Sequence, residues 1–327
     1  MPSYTRRDFT KLALAVLPAA GFISTVSSLS GAALPTPARA KPNSKVAGVQ
    51  IGLNVPYSFA KPTMSGDDIV KNCVLLGVSA VELRAQPVEA FLGSPMPASV
   101  AARGSALDPV EAKNHADKLQ VWRRTVSMDR VKAFRQKFED AGILIEILKV
   151  DNIFKMSDDI VDYSFALAKA LGARAISTEI SKTIDDMKRL GKFADKHLFM
   201  VGYHGHATTT AEHFEEAFSF AKYNGANLDI GHFIAGGNGS PVDFIKKHHQ
   251  RITHVHIKDR KFDAATKNGP NTPFGEGDTP IREVLRLIRD NRWNIQATIE
   301  FEYKVPATSD RMTELARAVN YCRDALA

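Results

Sequence analysis

Asn227-Leu228-Asp229-Ile230-Gly231-His232 is an aliphatic run that stops on a carboxylate and, three residues later, on an imidazole. Two later segments repeat the form, Thr253-His254-Val255-His256 and Thr298-Ile299-Glu300. A β-branched or aliphatic run ending in a polar side chain is the pattern of a barrel strand handing a functional group to its carboxyl end. A hydrogen-bonded residue at a strand terminus accounts for any one of these segments alone. Three of them, at the same point of consecutive βα units, point to a metal site.

Outward from this stretch the chain alternates strand and helix from Lys45 onward, which implies a parallel sheet with helices outside it. The expected strands are Val49 to Leu53, Val81 to Leu83, Ile143 to Leu148, Ala175 to Glu179, Phe199 to His204, Ala226 to Asp229, Ile252 to Ile257 and Ile295 to Glu300. Ser65 caps a first helix carrying Ile69, Cys73 and Leu76 on one face. Further helices are expected over Asp129 to Ala141, Asp158 to Leu171 and Ile184 to Ala194, and around Phe214, Phe218 and Ala221. Ser240-Pro241-Val242-Asp243 opens another as a capping box with Pro at its first position, and Thr279-Pro280 starts one carrying Ile281, Val284, Leu285 and Ile288. Met312, Leu315, Ala316, Val319 and Cys322 mark the last. Eight such units in this length make a TIM barrel, an α/β (β/α)8 fold, the best architecture. A doubly wound open sheet is the rival, but no Gly-rich phosphate loop follows the first strand. The segment Arg84 to Met128, about 45 residues, is too long for an ordinary βα connection and is expected to form a lid or small inserted helices over about 85–128. Trp122 and Arg123 within it are assigned to substrate binding.

The chain has 327 residues, 44% of them apolar, enough for one large core. Residues 1–40 are set apart from it. Thr5-Arg6-Arg7-Asp8-Phe9-Thr10-Lys11 precedes an apolar stretch from Leu12 to Val26 and then Ala38-Arg39-Ala40, which has the form of a signal-peptidase site. This resembles a twin-arginine export signal, implying the translocation machinery as a partner and a periplasmic or secreted catalytic domain over 41–327. Pro18, Gly21 and Ser27 interrupt the run, which argues against a stable membrane anchor. The leader accounts for three of the seven formal positive charges, and the remaining charge is too mild for a nucleic-acid partner. Lys246-Lys247-His248-His249-Gln250-Arg251 reads as the solvated end of a helix. Two cysteines, Cys73 and Cys322, fall on the first and last helices; a ring-closing disulfide is one reading and two buried thiols the favoured one.

Collected at the carboxyl ends of the strands are Glu82, Glu179, His204, Asp229, His256 and Glu300. Two carboxylates with one or two imidazoles and no thiolate suit Mn²⁺, with Zn²⁺, Co²⁺ and Fe²⁺ as alternatives and Mg²⁺ less suited to imidazole. These residues resemble the xylose-isomerase-like superfamily of sugar isomerases and epimerases, which includes ketose 3-epimerases, inosose dehydratases and hydroxypyruvate isomerases. Leu228-Asp229-Ile230-Gly231-His232 matches an Asp ligand followed by a substrate-facing His, and Val255-His256-Ile257-Lys258-Asp259 matches a His ligand. Ile299-Glu300 matches a final Glu that binds metal and moves a proton, and Phe274-Gly275-Glu276-Gly277 matches a Pro/Gly-rich turn. The chain departs from the epimerases on the fifth strand, where Tyr203-His204-Gly205-His206 replaces a glutamate. His204 and Glu179 are therefore both candidates for the fourth ligand, and Glu179 also for a base. His206 and His254 fall to an outer or packed position, with His206 also a candidate to meet substrate; Glu302 is an outer partner, and Glu82 an outer partner or an interior salt bridge.

The resemblance implies deprotonation beside a carbonyl, with Glu300 and Glu179 as acid–base candidates and His232 and Lys258 holding or protonating sugar oxygens. The expected activity is isomerisation or epimerisation of a non-phosphorylated keto-sugar or polyol through an enediolate. Elimination or hydration, including elimination from 3-keto-glycosides, is the alternative, because the paired glutamates are lost. A non-catalytic periplasmic sugar- or metal-binding protein is a second alternative. A nuclease, as in the apurinic-site endonucleases of the same superfamily, needs more zinc ligands and a basic groove. Homodimers are common in the family.

Overall fold

The computed structural model describes residues 41–61, 64–95 and 109–327, so the expected leader and the middle of the long insertion lie outside it. The barrel strands are β1 (Val49–Val55), β2 (Ala80–Arg84), β3 (Leu144–Lys149), β4 (Ala175–Glu179), β5 (Met200–His204), β6 (Asn224–Asp229), β7 (Ile252–Ile257) and β8 (Gln296–Ile299). Each is parallel to its neighbours, and β1 pairs with both β2 and β8, so the sheet closes on itself. The architecture is an eight-stranded α/β barrel. A short antiparallel strand, Lys45–Val46, folds back on the start of β1 through Ala47 and Gly48, both at positive φ.

The helices are α1 (Gly66–Leu76), α2 (Ala85–Leu92), α3 (Pro109–Thr125), α4 (Asp129–Asp140), α5 (Asp158–Leu171), α6 (Ile184–His197), α7 (Ala211–Ser219), α8 (Ile230–Ala235), α9 (Pro241–His248), α10 (Ile281–Asp290) and α11 (Arg311–Leu326). Ser65 caps α1 by accepting the Asp68 N–H, and Ser240 caps α9 the same way with Pro241 at its first position. Their apolar stripes bury Ile69, Phe134, Phe165, Phe214, Val284 and Val319 against the outer face of the sheet. Two details differ from the sequence reading, and the long insertion follows it. Ala221 lies beyond the end of α7, though it is still buried. The long insertion holds α2 and α3 in its described parts, the inserted helices expected there. The six-residue α8 was not expected, because one and a half turns are too short for a helical period to show.

Cys73 and Cys322 are buried, unbonded thiols on the adjacent helices α1 and α11. Among the described residues no helix is long and apolar enough to cross a membrane.

Pairing register decides what the barrel interior receives. Side chains two apart on a strand face the same side, and Glu179 is level with His204, as Asp229 is with His256. Ser177 and Glu179, Asn227 and Asp229, and His254 and His256 therefore form polar layers, all buried except the partly exposed Glu179.

Candidate metal centre and active site

The end of β6 builds the centre of the site. Asp229 is the cap of α8: its Oδ1 accepts the His232 N–H at 2.7 Å, which fixes the carboxylate and frees Oδ2 to face the barrel axis. Gly231 lets this turn approach β7, since a Cβ there would meet the Lys258 side chain at 2.4 Å and its carbonyl oxygen at 2.8 Å.

Around Oδ2 stand His204, His256 and Glu300. These four residues, all buried, offer donor atoms within 4.8 Å of one another. His204 Nε2 is 3.4 Å from Asp229 Oδ2 and 3.9 Å from Glu300 Oε2. His256 Nδ1 is 3.3 Å from Glu300 Oε2 and 3.7 Å from Asp229 Oδ2, yet makes no hydrogen bond. Each imidazole is held from behind by a carboxylate: His256 Nε2 by Glu82 at 2.5 Å, and His204 Nδ1 by Glu179 at 3.1 Å. A carboxylate can only accept, so the ring hydrogen points outward and the nitrogen facing the centre is the one available to a metal. Two imidazole nitrogens and two carboxylate oxygens, with the bare Nδ1 among them, fit a divalent ion of intermediate hardness.

Lys258 complicates that picture. Its Nζ lies 3.0 Å from Asp229 Oδ2, 2.5 Å from Glu300 Oε2 and 2.6 Å from Glu302 Oε2, and the residue is 1% exposed. The ammonium thus shares two oxygens with the four-donor set. Burial alone would lower the lysine's pKa, but Asp229, Glu300 and Glu302 outweigh it and push it up. Burial opposes ionisation of Asp229 and Glu300 too, and Lys258 holds both well below the usual carboxylate range. His256 is raised well above its ordinary value: desolvation works against this, and Glu82 and Glu300 prevail. His204 is also raised against its desolvation, by Asp229 and Glu179. His232 behaves oppositely, its pKa driven by burial down to about 3.

The structure brings together His204, Asp229, His256 and Glu300, four donors that could hold a metal ion, with Lys258 and His232 beside them. Glu179 stands behind His204, where Lys149 at 2.8 Å and His206 at 2.7 Å also hold it; its carboxyl is depressed, Lys149 and His204 overcoming its burial. His206 is half-exposed at the rim, its ring 4.8 Å from that of His232. Glu302 accepts from Tyr57 Oη at 2.6 Å as well as from Lys258. Glu82 is at once an outer partner and a member of a buried pair, gripping His256 at 2.5 Å and facing His254 at 3.5 Å. Trp122 and Arg123 are not brought to the site. Arg123 is paired with Glu89 through two bonds of 2.7 and 3.0 Å, and Trp122 packs on the apolar cluster. A guanidinium on α3 found an acid within the same insertion and ties α3 to α2.

The sequence reading missed Asn54, which donates to Glu300 Oε1 at 2.9 Å, and Lys149. It also missed Arg260, whose Nη1 is 2.5 Å from His232 Nδ1. All three sit at or just past strand ends, a placement that could have marked them, but only acids and imidazoles were gathered there.

Residues 110–325 match the family model described as "Xylose isomerase-like TIM barrel". The chain belongs to that family. Among curated relatives, the inosose dehydratase of Clostridium tetani is 26% identical over 156 residues, covering 42% of this chain and 52% of the relative. The chain thus spans about half the length of the curated relatives it matches. Among solved structures, the IOLI protein with a bound zinc atom superposes with a TM-score of 0.58 at 14% identity, covering 85% of this chain and 98% of that one. The 3-keto-D-glucoside 4-epimerase of E. coli gives 0.56 at 9% identity, covering 84% and 99%. At these identities the structural likenesses speak for the fold. The family is one of isomerases, epimerases and dehydratases.

Proposed function

We propose that this family member is a metal-dependent isomerase or epimerase of a non-phosphorylated keto-sugar or polyol, acting by proton abstraction beside a carbonyl. The observation that carries the reading is the convergence of His204, Asp229, His256 and Glu300 with the His256 Nδ1 bare and its Nε2 committed to Glu82. The mixed oxygen and nitrogen set suits Mn²⁺ best, with Zn²⁺, Co²⁺, Fe²⁺ and Mg²⁺ as competitors. A divalent ion here supplies Lewis acidity to a carbonyl and its neighbouring hydroxyl. Glu300, steadied at Oε1 by Asn54, takes the carbon-bound proton. Lys258 and His232 meet the oxygen on which charge develops. Lys149, Arg84 and Lys258 are each engaged by carboxylates, which favours a neutral sugar over a phosphorylated one.

One observation favours elimination as the second reading. Inverting a stereocentre calls for a proton donor on the face opposite the base. Glu179, the second carboxylate considered as a base, stands behind His204 and is engaged by Lys149, His204 and His206. An elimination needs one base and an acid for the leaving oxygen, and the inosose dehydratases among the relatives are named for such a reaction.

The test is to incubate metal-loaded protein with D-fructose and with 3-keto-D-glucosides in deuterated water. Carbon-bound deuterium, or elimination product, that disappears in Glu300→Gln is expected. No exchange and no product with either sugar refutes the reading and leaves a binding protein, which would show ligand-dependent thermal stabilisation only. We infer in addition that the Arg6-Arg7 leader directs export; a reporter fused to residues 1–40 should reach the periplasm and fail to do so when both arginines become Lys.

A further inference from the structure

His232 is held between two cations. Its Nδ1 is 2.5 Å from Arg260 Nη1, and its Nε2 is 3.2 Å from Lys258 Nζ. A guanidinium has no acceptor and does not lose its proton, so the nitrogen it touches must accept. The guanidinium cannot swing away, because its other nitrogens donate to the Gly269 carbonyl at 3.0 Å and to Asn268 Oδ1 at 2.8 Å on the loop after β7. Lys258 does not compete for the ring: its three N–H groups face three carboxylate oxygens within 3.0 Å. A second ring proton would set N–H against N–H at Nδ1. The ring hydrogen therefore belongs on Nε2, the nitrogen beside Lys258, and His232, Glu300 and Glu302 offer ligand atoms within 4.8 Å of one another.

We propose that Arg260 is a positioning residue that locks His232 as its neutral Nε2–H tautomer, so that Nε2–H donates to the substrate oxygen gaining negative charge next to Glu300. The Lys258 ammonium, 3.2 Å away, is already taken up by Asp229, Glu300 and Glu302, so Nε2–H is the donor these groups leave over. An oxyanion satisfies it, and a neutral imidazole offers it without bringing a further positive charge beside the metal ligands. The same guanidinium ties this tautomer to the loop carrying Asn268 and Gly269. The donor's task in catalysis rests on the proposed reaction; the tautomer does not.

The experiment uses the metal-free protein selectively labelled with ¹⁵N-histidine, with His232 signals assigned by their loss in His232→Gln. Long-range ¹H–¹⁵N correlation should show a protonated Nε2 and an unprotonated Nδ1. In Arg260→Met the balance should move toward Nδ1–H, because no guanidinium then obliges Nδ1 to accept, and Arg260→Lys should restore Nε2–H. A wild-type ring protonated at Nδ1, or a pattern unchanged in Arg260→Met, overturns the proposal; the wild-type spectrum decides even if the Met variant fails to fold. On whichever of D-fructose or a 3-keto-D-glucoside is turned over, Arg260→Met should lower kcat by about a hundredfold with KM little changed, and an unaltered kcat overturns the donor role. Turnover of neither sugar defeats the proposed function and leaves the tautomer result standing.

Discussion

Replacing Lys258 by Met separates the lysine's charge from its bulk and asks whether a metal ion uses the oxygens it now holds. The ammonium lies 3.0, 2.5 and 2.6 Å from carboxylate oxygens of Asp229, Glu300 and Glu302 and is 1% exposed. Removing one member of a buried ion cluster strands the rest, at a cost of about 3–5 kcal/mol. At roughly 2 °C per kcal/mol for a domain of this size, the metal-free variant should melt about 6–10 °C below wild type. A divalent ion reverses the comparison. In wild type it must displace the ammonium from Asp229 Oδ2 and Glu300 Oε2, whereas in the variant those oxygens have no other cation. Binding at a hundred times Kd stabilises a fold by about 2.7 kcal/mol, and tighter binding by the variant raises that figure at the same ion concentration. Melting of both proteins without metal and in excess Mn²⁺, with Kd from calorimetry, reads both effects. An equal or smaller metal-induced rise in Lys258→Met would mean that the ion does not sit on Asp229 and Glu300. A metal-free variant as stable as wild type would mean that those carboxylates are not ionised together.

Other outcomes follow from the same geometry. His204 and His256 both have pKa values raised above the ordinary 6.5, by Asp229 and Glu179 and by Glu82 and Glu300 respectively, so in the metal-free protein each holds its second ring proton more tightly than an ordinary imidazole does. As ligands they must lose it; calorimetry in buffers of different ionisation enthalpy should find up to two protons released per ion, with uptake weakening as pH falls. Release of none would exclude both imidazoles. Glu82→Gln removes the charge behind His256 and should weaken metal binding by about 10–100-fold while leaving the ion stoichiometry unchanged; an unaltered Kd would deny Glu82 that part. Gly231→Ala forces a Cβ to 2.4 Å from Lys258 Cγ and 2.8 Å from its carbonyl oxygen. Overpacking of that kind costs about 1–3 kcal/mol in urea unfolding, and an unchanged midpoint would show that α8 can shift.

Parts of this molecule were legible before any coordinates because the signal lay within one strand. Ala175–Glu179 and Ile252–Ile257 form strands over the residues expected, since β-branched residues, Ile176 and Thr178 in one and Ile252, Thr253, Val255 and Ile257 in the other, bias each short run to strand. His204, Asp229, His256 and Glu300 could be gathered because each ends such a run and barrel strands deliver their ends to one mouth. What escaped was pairing across sequence distance. Arg123 reads like a lid cation, yet its partner is Glu89, on a helix of the same insertion. Lys149 and Arg260 look like surface charges in the sequence, and only register turns them inward, where burial obliges them to find acceptors.

Glu82 shows why this class of residue resists a linear reading. It lies 174 positions from His256, on a strand separated from β7 by β8 and β1, and the two meet only because the sheet closes. Its sequence context, Val81-Glu82-Leu83, is that of any carboxylate buried in a strand. What distinguishes it is a demand made elsewhere: His256 needs its Nε2 hydrogen held so that Nδ1 is left to the centre, and an anion on the barrel axis is one of few groups able to hold it there. The candidate ligands can be read from strand ends, whereas the groups that orient them follow from the closed barrel.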